Sequence, residues 1–443
     1  MSKKVSRRKF LKNSCLFGAG IIGGPFLKAV SRGPGNAWAA AKPIKFGGVY
    51  SLSGVVAAWG KAGQQGALMA AMEINQAGGI LKRPVECKFE DDACNPEFGV
   101  RKTRRLVLEW GADFLHGFNH SGVGLAAVPI LPELKRMLLI PCASSPAITT
   151  EAFNKYVFRP RANVYQSGAA AGVIAAKMPY KKWTVIGPDY SFGWDAWGAF
   201  IHHLLLRKPD VEVMSTQAWP KFGAGDFTSY ILKIIEAKPD AVYTPLWGGD
   251  FVTFLKQAKR YGFFEKVGTV ITEGGLAVDG FYALSTSGGK ESEVPEGIWG
   301  AAHGYWFDHP NTDRNKKWVE KFMNMYGEYP HNVAHDAYGV MYLYKKAIEK
   351  AKTIETDAVI EAMENMEFDT PGYKRKIRKE DHSAFAEVPY GKTVKAPDKI
   401  GIAMNLGNIV DAPANDIIEP IGDVLERRAK KSPPPWMKYV IKG

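Results

Sequence analysis

Two segments of the 443-residue chain resemble phosphate-binding loops, but neither has the context that such loops need. Gly-Ala-Gly-Ile-Ile-Gly at 18–23 has the dinucleotide-binding spacing, yet it lies in an apolar run with no strand before it. Gly-Lys-Thr at 391–393 resembles the end of a P-loop, whose first glycine would stand where the chain has Ala386. The motifs H-E-x-x-H, G-x-S-x-G and C-x-x-C do not occur. We therefore predict no cofactor and no enzymatic activity.

The histidine pairs do not have the surroundings of a metal site. His331 and His335 stand four residues apart and Asp336 follows, but no further ligands cluster with them in the sequence. Polar residues at the start of a helix explain this group better. His202 and His203 point to different sides of a predicted helix and form a poor ligand pair. The sequence therefore predicts no metal.

Two serines lie where predicted strands end and backbone N–H groups are free. Ser121 follows a strand that ends at Phe118 and begins a predicted helix at 122–136. Ser144 directly follows a predicted strand that ends at Ala143. A hydroxyl beside free N–H groups can hold a carboxylate, although each serine taken alone is better explained as a simple helix N-cap.

Three large aromatic residues and one acid also occupy predicted strand ends or the loops that follow them. These are Trp59, Phe192, Trp247 and Glu273. In doubly wound sheets, ligands bind beyond the carboxyl ends of the strands. A lone aromatic residue belongs more often to the core, and a buried carboxylate is costly unless it is paired. The positions are therefore candidates for a pocket wall and for a charged ligand contact.

Short apolar runs alternate with longer amphipathic ones, which predicts repeated β-α-β units and parallel sheets with helices on both faces. The number of strands exceeds what one open sheet comfortably holds, so two doubly wound α/β domains are predicted. The predicted strands are 44–53, 85–91, 114–118, 138–143, 183–187, 212–218, 241–246 and 267–272. The predicted helices include 60–76, 122–136, 250–261, 312–326, 335–351 and 357–366.

The net charge of +13 is concentrated at the two ends of the chain. Residues 1–41 contain eight Lys and Arg and no acid, and residues 426–443 contain six against one acid. The body, 42–425, has 44 basic and 44 acidic residues. A neutral body argues against nucleic acid as a partner. The basic tail has no periodicity and is predicted to be extended or loosely docked.

The N-terminus has the three-part layout of a cleaved export signal. Ser-Arg-Arg-Lys-Phe-Leu-Lys at 6–12 resembles the twin-arginine motif of proteins that are exported already folded. The apolar run 15–26 is shorter than a membrane span and is followed by small residues. We predict a signal peptide at 1–39, cleavage near Ala39 and a periplasmic location.

Several short segments, in order over residues 42–405, resemble the branched-chain amino-acid (Leu/Ile/Val-type) binding proteins of ABC transporters. These segments lie at 51–54, 59–60, 74–80, 90–96, 141–146, 272–275 and 381–383. The resemblance implies the type I periplasmic-binding fold, in which three crossings join two lobes that close on a ligand. It implies lobe 1 at 42–161 plus 301–372, lobe 2 at 162–300 plus 373–425, and a basic C-terminal tail at 426–443.

The same resemblance implies roles for the candidate residues. Ser121 and Ser144, with the backbone of Cys142, match the positions that hold a ligand's α-carboxylate. Glu273 matches the position that holds its ammonium group. The aromatic residues Trp59, Phe192 and Trp247 match pocket walls, and an indole can also contact a cation. The expected ligand is an amino acid or a close relative.

The resemblance also implies an ABC permease in the inner membrane as partner, and we expect a monomer. Many relatives have a cysteine near position 119 or 120 that pairs with the one at Cys94. Here these positions are Asn119 and His120, so we expect no such disulfide and an altered pocket. Alternatives remain: a ligand-sensing module for a membrane sensor, a receptor for an amide, urea or aromatic carboxylate, or, less favoured, an exported enzyme.

Overall fold

The computed structural model describes residues 41–273, 277–286, 290–301, 305–396 and 398–442. The predicted export signal lies outside these residues. Two parallel sheets organise the described chain, as the alternation of apolar runs predicted. We call the part built on the first sheet lobe 1 and the part built on the second sheet lobe 2.

The sheet of lobe 1 has five parallel strands in the order β2-β1-β3-β4-β5. Their bounds are β1 Ile44–Tyr50, β2 Val85–Asp91, β3 Phe114–Gly117, β4 Leu138–Leu139 and β5 Val157–Phe158. Buried apolar side chains, such as Ile44 and Phe46, line these strands because helices cover the sheet.

The helices of the first part of the chain follow the strands in alternation. They are α1 Ala57–Gln76, α2 Pro96–Leu108, α3 Ser121–Ala127 and α4 Leu131–Leu134. The single helix predicted at 122–136 is therefore wrong. Pro129 and Pro132 cannot donate a backbone N–H, and a 3-10 turn at Val128–Ile130 separates the two short helices.

The sheet of lobe 2 has seven strands in the order β17-β16-β12-β9-β8-β6-β7. Neighbours are parallel from β12 to β7, whereas β16 and β17 form an antiparallel hairpin at one edge. The strand bounds are β6 Lys182–Val185, β7 Glu212–Val213, β8 Ala241–Thr244, β9 Thr269–Glu273, β12 Trp299–Ala301, β16 Val388–Lys395 and β17 Met404–Ala412. A separate small pair is formed by β10 Ser285–Thr286 and β11 Glu291–Ser292.

Helices cover the second sheet on both faces. They are α5 Val164–Ala176, α6 Ser191–Arg207, α7 Thr228–Ala237, α8 Gly248–Arg260, α9 Phe263–Lys266 and α10 Val278–Leu284. α5 begins at a capping box in which Asn163 and Gln166 bond each other's backbone, so its start is encoded locally.

After β12 the chain returns to lobe 1. The helices there are α11 Asp313–Tyr326, α12 Asn332–Ala351 and α13 Thr356–Met363. α12 packs closely on α1, because a Cβ added at Gly66 would lie 2.0 Å from the carbonyl oxygen of Ala334. The hydroxyl of Tyr344 also donates to the carbonyl of Leu115 on β3 at 2.7 Å.

A three-stranded antiparallel sheet follows, formed by β13 Glu367–Asp369, β14 Lys374–Ile377 and β15 Ala384–Phe385. Ser383 bridges to Arg159, one residue beyond β5, so this sheet lies where the chain leaves the first lobe. The lobe boundaries inferred from the family resemblance stay a prediction.

The prediction of an extended or loosely docked tail is wrong. The C-terminal segment contains α14 Ala414–Ile417, α15 Ile421–Lys430 and a 3-10 turn at Pro435–Tyr439. Trp436 in this turn is 1% exposed and packs beside Tyr165 of α5 and Gly198 of α6. A buried indole thus contributes to docking a segment whose sequence was expected to stay extended.

Candidate functional site

The predicted serine positions come together at the carboxyl end of the first sheet. The Oγ atom of Ser121, the first residue of α3, accepts the backbone N–H groups of Ser144 at 3.2 Å and Ser145 at 3.1 Å. The hydroxyl of Ser144 donates to the carbonyl oxygen of Cys142 at 2.6 Å. All four residues are buried. We call Ser121, Cys142, Ser144 and Ser145 the serine cradle.

Two buried guanidinium groups lie directly behind the serine cradle. Arg159 donates to the carbonyl oxygens of Ser144 and Ser145 at 3.2 and 2.7 Å. Arg161 donates to the carbonyl of Cys142 at 3.1 Å, and both side chains are 0% exposed. Burial lowers the pKa of Arg159 to about 9, which leaves it charged at neutral pH. The hydrogen bond to the Ser144 carbonyl polarises the peptide unit whose N–H, that of Ser145, bonds the Oγ atom of Ser121.

A buried carboxylate, that of Asp336, contacts Arg161 of this pair and also a third guanidinium. Asp336 lies 3.7 Å from the Nε atom of Arg161 and 2.8 Å from Nη1 of Arg375. Burial acts to raise the pKa of Asp336, but Arg375 and the neighbouring His335 lower the pKa to about 2. Two of the three buried guanidinium groups, those of Arg161 and Arg375, thus contact this buried carboxylate, whereas Arg159 bonds the cradle carbonyls.

The three predicted aromatic residues also meet, and they come from both lobes. The rings of Trp59, in α1, and Trp247, just before α8, are 4.9 Å apart at 70°. Phe192 in the first turn of α6 lies 6.2 Å from Trp247. All three side chains are at most 4% exposed. We call these three residues the aromatic wall.

Sequence reasoning missed Tyr190 and Phe222, which pack against this wall, and only flagged His120. Tyr190 accepts the indole N–H of Trp247 at 3.0 Å and stacks on His120 with ring centroids 4.2 Å apart. Phe222 stacks on Trp247 at 5.4 Å. Tyr190 could have been found from its place two residues before Phe192, whereas Phe222 lies in a loop with no local signal. Burial lowers the pKa of His120 to about 4, so this ring is neutral at pH 7.

A carboxylate and a histidine at the far side of Trp59 were also missed as site residues. Asp279 of α10 accepts the indole N–H of Trp59 at 3.1 Å and faces Nε2 of His331 at 3.2 Å. His331 is the N-cap of α12, as the interpretation of a polar helix start predicted. No local pattern could have paired Asp279 with Trp59, because 220 residues separate them.

Glu273 ends β9 and is wholly buried. Its Oε2 atom accepts the hydroxyl of Tyr390, on β16, at 3.0 Å. Burial, and after it the charge of Glu273, raises the pKa values of Tyr243 and Tyr390 well above the ordinary value. The structure therefore places Glu273 in a cluster with two phenols inside lobe 2. Its contact with a ligand's ammonium group stays a prediction.

The two lobes touch each other around this site. The hydroxyl of Ser145 in lobe 1 donates to Asp195 of α6 at 2.7 Å. A Cβ added at Gly249 of α8 would meet only Val55, at 3.1 Å from its carbonyl oxygen. His120, next to Ser121, stacks on Tyr190, which accepts the indole N–H of Trp247, so the cradle and the aromatic wall adjoin at one interlobe site.

The remaining chemistry of the described chain is sparse. Within the ranges given above, no three His, Cys, Asp or Glu side chains cluster as metal ligands would. No helix in those ranges is long and apolar enough to cross a membrane. The three cysteines that the structure describes, Cys87, Cys94 and Cys142, are free thiols.

Comparison with known proteins identifies the family. The model of the family described as "Periplasmic binding protein" matches residues 43–395. The Leu-, Ile-, Val-, Thr- and Ala-binding protein of Pseudomonas aeruginosa is 25% identical over 338 residues, which are 75% of this chain and 85% of that protein. The Leu/Ile/Val-binding protein BraC3 of Rhizobium johnstonii is 28% identical over 55% of this chain and 64% of its own length.

Solved structures show the same fold. A solute-binding protein of an ABC transporter from Rhodopseudomonas palustris, in complex with 3,4-dihydroxybenzoic acid, superposes with a TM-score of 0.73 at 24% identity and covers 84% of this chain and 98% of its own. A second one from R. palustris, in complex with 4-hydroxybenzoate, gives 0.73 at 20% identity over 83% and 97%. The two lobes with their interlobe site, and a family match over most of the chain, confirm the resemblance seen in the sequence: the chain belongs to the periplasmic binding protein family.

Proposed function

We propose that the protein is the solute receptor of an ABC importer and that it binds a small carboxylate with an apolar or aromatic body, in first place an amino acid. The observation that carries this proposal is that the serine cradle of lobe 1 adjoins, through the stack of His120 on Tyr190, an aromatic wall built by both lobes. The family membership supports the receptor role.

The cradle accounts for the carboxylate. The hydroxyl of Ser121 accepts the N–H groups of Ser144 and Ser145 and keeps its own proton, which it can donate to a ligand's carboxylate. The buried arginines behind the cradle add positive potential without occupying the binding position themselves. A neutral ligand would gain little from this field.

The aromatic wall accounts for the body of the ligand. Rings that are already buried against each other offer flat apolar surface to an aliphatic or aromatic side chain. One relative carries a name that specifies binding of aliphatic amino acids, and two solved relatives hold hydroxybenzoates. Both ligand kinds share the carboxylate and the apolar body.

A thermal-shift panel of amino acids, hydroxybenzoates and neutral amides tests the proposal. A ligand at 100 times its dissociation constant should raise the free energy of unfolding by about 2.7 kcal/mol. We expect carboxylates to stabilise the protein and the matching amides not to do so. Stabilisation by the amides alone would refute the role of the cradle.

The ammonium contact proposed for Glu273 separates amino acids from simple carboxylates. Glu273→Gln should weaken an amino acid at least 10-fold, because charged hydrogen bonds are worth about 1.5–3 kcal/mol, and should leave a hydroxybenzoate unaffected. Calorimetric titration of both ligands measures this. Tyr390→Phe serves as the control, because it removes the partner hydroxyl and keeps the carboxylate. Equal losses for the two ligand kinds would contradict the assignment.

We also propose that residues 1–39 are a twin-arginine signal removed near Ala39, that the mature protein is a periplasmic monomer, and that an inner-membrane ABC permease is its partner. The basic and apolar segments of the N-terminus support the signal. Mass spectrometry of the N-terminal peptide from a periplasmic fraction tests it. A full-length chain retained in the cytoplasm would contradict this part of the proposal.

A further inference from the structure

The carboxylate of Asp279 joins the two lobes. Asp279 belongs to α10 of lobe 2, and both of its oxygens face lobe 1. Oδ2 accepts the indole N–H of Trp59 at 3.1 Å, and Oδ1 lies 3.2 Å from Nε2 of His331. Trp59 and the side chain of His331 are 1% and 4% exposed, whereas the side chain of Asp279 is 22% exposed. Solvent or a ligand can therefore reach the acceptor more readily than its two donors.

The direction of the second hydrogen bond follows from the helix cap. Nδ1 of His331 accepts the backbone N–H of Val333 at 3.1 Å. In a neutral imidazole the proton then resides on Nε2, which donates to Asp279. Both donors are thus held by lobe 1, and the one acceptor is held by lobe 2.

These bonds determine the orientation of a wall residue. The indole of Trp59 lies between the ring of His331, 4.5 Å away, and the ring of Trp247, 4.9 Å away. Trp247 is itself fixed by the hydroxyl of Tyr190 in lobe 2. The two indoles that meet between the lobes are therefore each held by a hydrogen bond to a residue of lobe 2, Trp59 by Asp279 and Trp247 by Tyr190.

We propose that Asp279 is a positioning residue for ligand recognition: its interlobe bonds to Trp59 and His331 form as the lobes close and fix the indole against the ligand. This inference rests on the proposed function, because it assigns the closing step of that same site. In a variant without the Asp279 carboxylate, closure of the lobes would bury the N–H groups of Trp59 and His331 without this acceptor. The closed form is then less favourable than in the parent protein. Ligand should then leave faster, while its entry into the open form stays unchanged.

The structure offers a matched control. Asp189 accepts the indole N–H of Trp194 at 3.0 Å, which is the same kind of bond, but both residues belong to lobe 2. Asp189→Ala therefore removes a carboxylate–indole bond without affecting the contact between lobes. Asp279→Asn keeps the shape and one acceptor oxygen, and it replaces Asp279→Ala as the decisive variant if the alanine variant folds poorly.

The first measurement is stopped-flow release of the best-stabilising carboxylate of the panel, followed by tryptophan fluorescence. We expect Asp279→Ala to raise the dissociation rate about 5- to 100-fold, Asp279→Asn to give a smaller increase, and Asp189→Ala to give none. The unfolding midpoint of the ligand-free protein should stay equal to that of the parent. A lower midpoint with an unchanged dissociation rate would show a merely structural role and overturn the proposal.

A second measurement needs no ligand and therefore separates this inference from the proposed function. A Cβ at Gly249 lies 3.6 Å from Cβ of Val55 in the other lobe, which suits a disulfide. In Val55→Cys/Gly249→Cys, diamide oxidises the two thiols to a disulfide and is itself reduced to the hydrazine, and the rate follows the closed population. We expect Asp279→Ala to slow this cross-linking about 5- to 100-fold in the ligand-free protein. An unchanged rate would overturn the proposal, even if every panel ligand failed.

Discussion

At the scale of single residues, one oxygen atom holds the serine cradle together. The Oγ atom of Ser121 accepts two backbone N–H groups from the loop after β4, and this loop is also held from behind by Arg159. The cradle is therefore shaped before a ligand arrives, so little ordering is left for binding to accomplish. The N-cap of α3 is His120 and not Ser121, whose hydroxyl bonds a neighbouring loop; its contact with a ligand stays a prediction.

Replacing this hydroxyl tests its role directly. Ser121→Ala should weaken carboxylate ligands about 10- to 100-fold, because a hydrogen bond to a charged group is lost. The free energy of unfolding should fall by about 1–3 kcal/mol, because two buried N–H groups lose this acceptor. Titration calorimetry and urea unfolding measure the two effects. Ser229→Ala, at an exposed serine in the first turn of α7, is the control, and an equal loss there would contradict the assignment.

A buried histidine makes stability depend on acid. His203 is 7% exposed, packs on Tyr165, and burial lowers its pKa to about 3. The unfolded chain binds a proton at this residue below about pH 6.5, whereas the folded protein does not, so the free energy of unfolding falls as the pH drops.

His203→Phe keeps the ring packing and removes this proton. Between pH 6 and 4, we expect the free energy of unfolding of the variant to change less with pH than that of the parent. The difference in slope should be up to about 1.4 kcal/mol per pH unit. Burial raises the pKa of Asp195 to about 6, so this acid makes the free energy of unfolding rise as the pH falls. This contribution is the same in the parent and in the variant and does not affect the difference between them. Urea unfolding at several pH values measures the difference in slope. Identical slopes would show that His203 does not stay neutral.

At the scale of elements, the C-terminal segment connects the two lobes near Asp195, which also accepts the hydroxyl of Ser145 in the serine cradle. Arg427 of α15 bonds Glu151 of lobe 1 at 3.0 Å, and Arg428 lies 3.8 Å over the ring of Phe153. Farther along, the indole of Trp197 in lobe 2 donates to the carbonyl of Tyr439 at 2.9 Å. This segment lies beyond residue 395, where the family match ends.

Trp436 is the anchor of this element. Trp436→Ala should lower the free energy of unfolding by about 3–5 kcal/mol, because it leaves a cavity between α5 and α6. Leu425→Ala, at a 43% exposed residue of the same segment, should cost below about 1 kcal/mol. Chemical denaturation of both variants measures this. Equal effects would show that the segment docks without the indole.

At the scale of the whole molecule, function depends on the relative movement of two lobes that each have their own sheet. Contacts such as Ser145 with Asp195 and Gly249 with Val55 belong to the arrangement in which the lobes meet. A ligand held between the cradle and the wall would be enclosed in this arrangement, so exchange requires opening.

Locking the lobes should therefore stop exchange. Oxidised Val55→Cys/Gly249→Cys should take up no ligand, and the same protein oxidised after loading should retain its ligand through gel filtration until a reductant is added. The native thiols should not interfere, because burial raises the pKa of Cys87 and Cys94 to about 12 and that of Cys142 to about 11. Single-cysteine variants are the control. Free exchange in the oxidised double variant would mean that the site does not lie behind this contact.

The sequence by itself determined the elements and the class of fold. Periodicity placed β2 at 85–91 and predicted two parallel sheets, and the strand-end rule brought Ser121 and Trp247 to the site, because these signals are local. The family match also agrees with the resemblance to binding proteins of ABC transporters that short sequence segments indicated. Tertiary structure alone decided that Asp279 meets Trp59, that Phe222 joins the wall, and that the tail docks through Trp436. Such contacts join residues that are far apart in the chain, and they arise from how two folded lobes pack together, which no local pattern encodes.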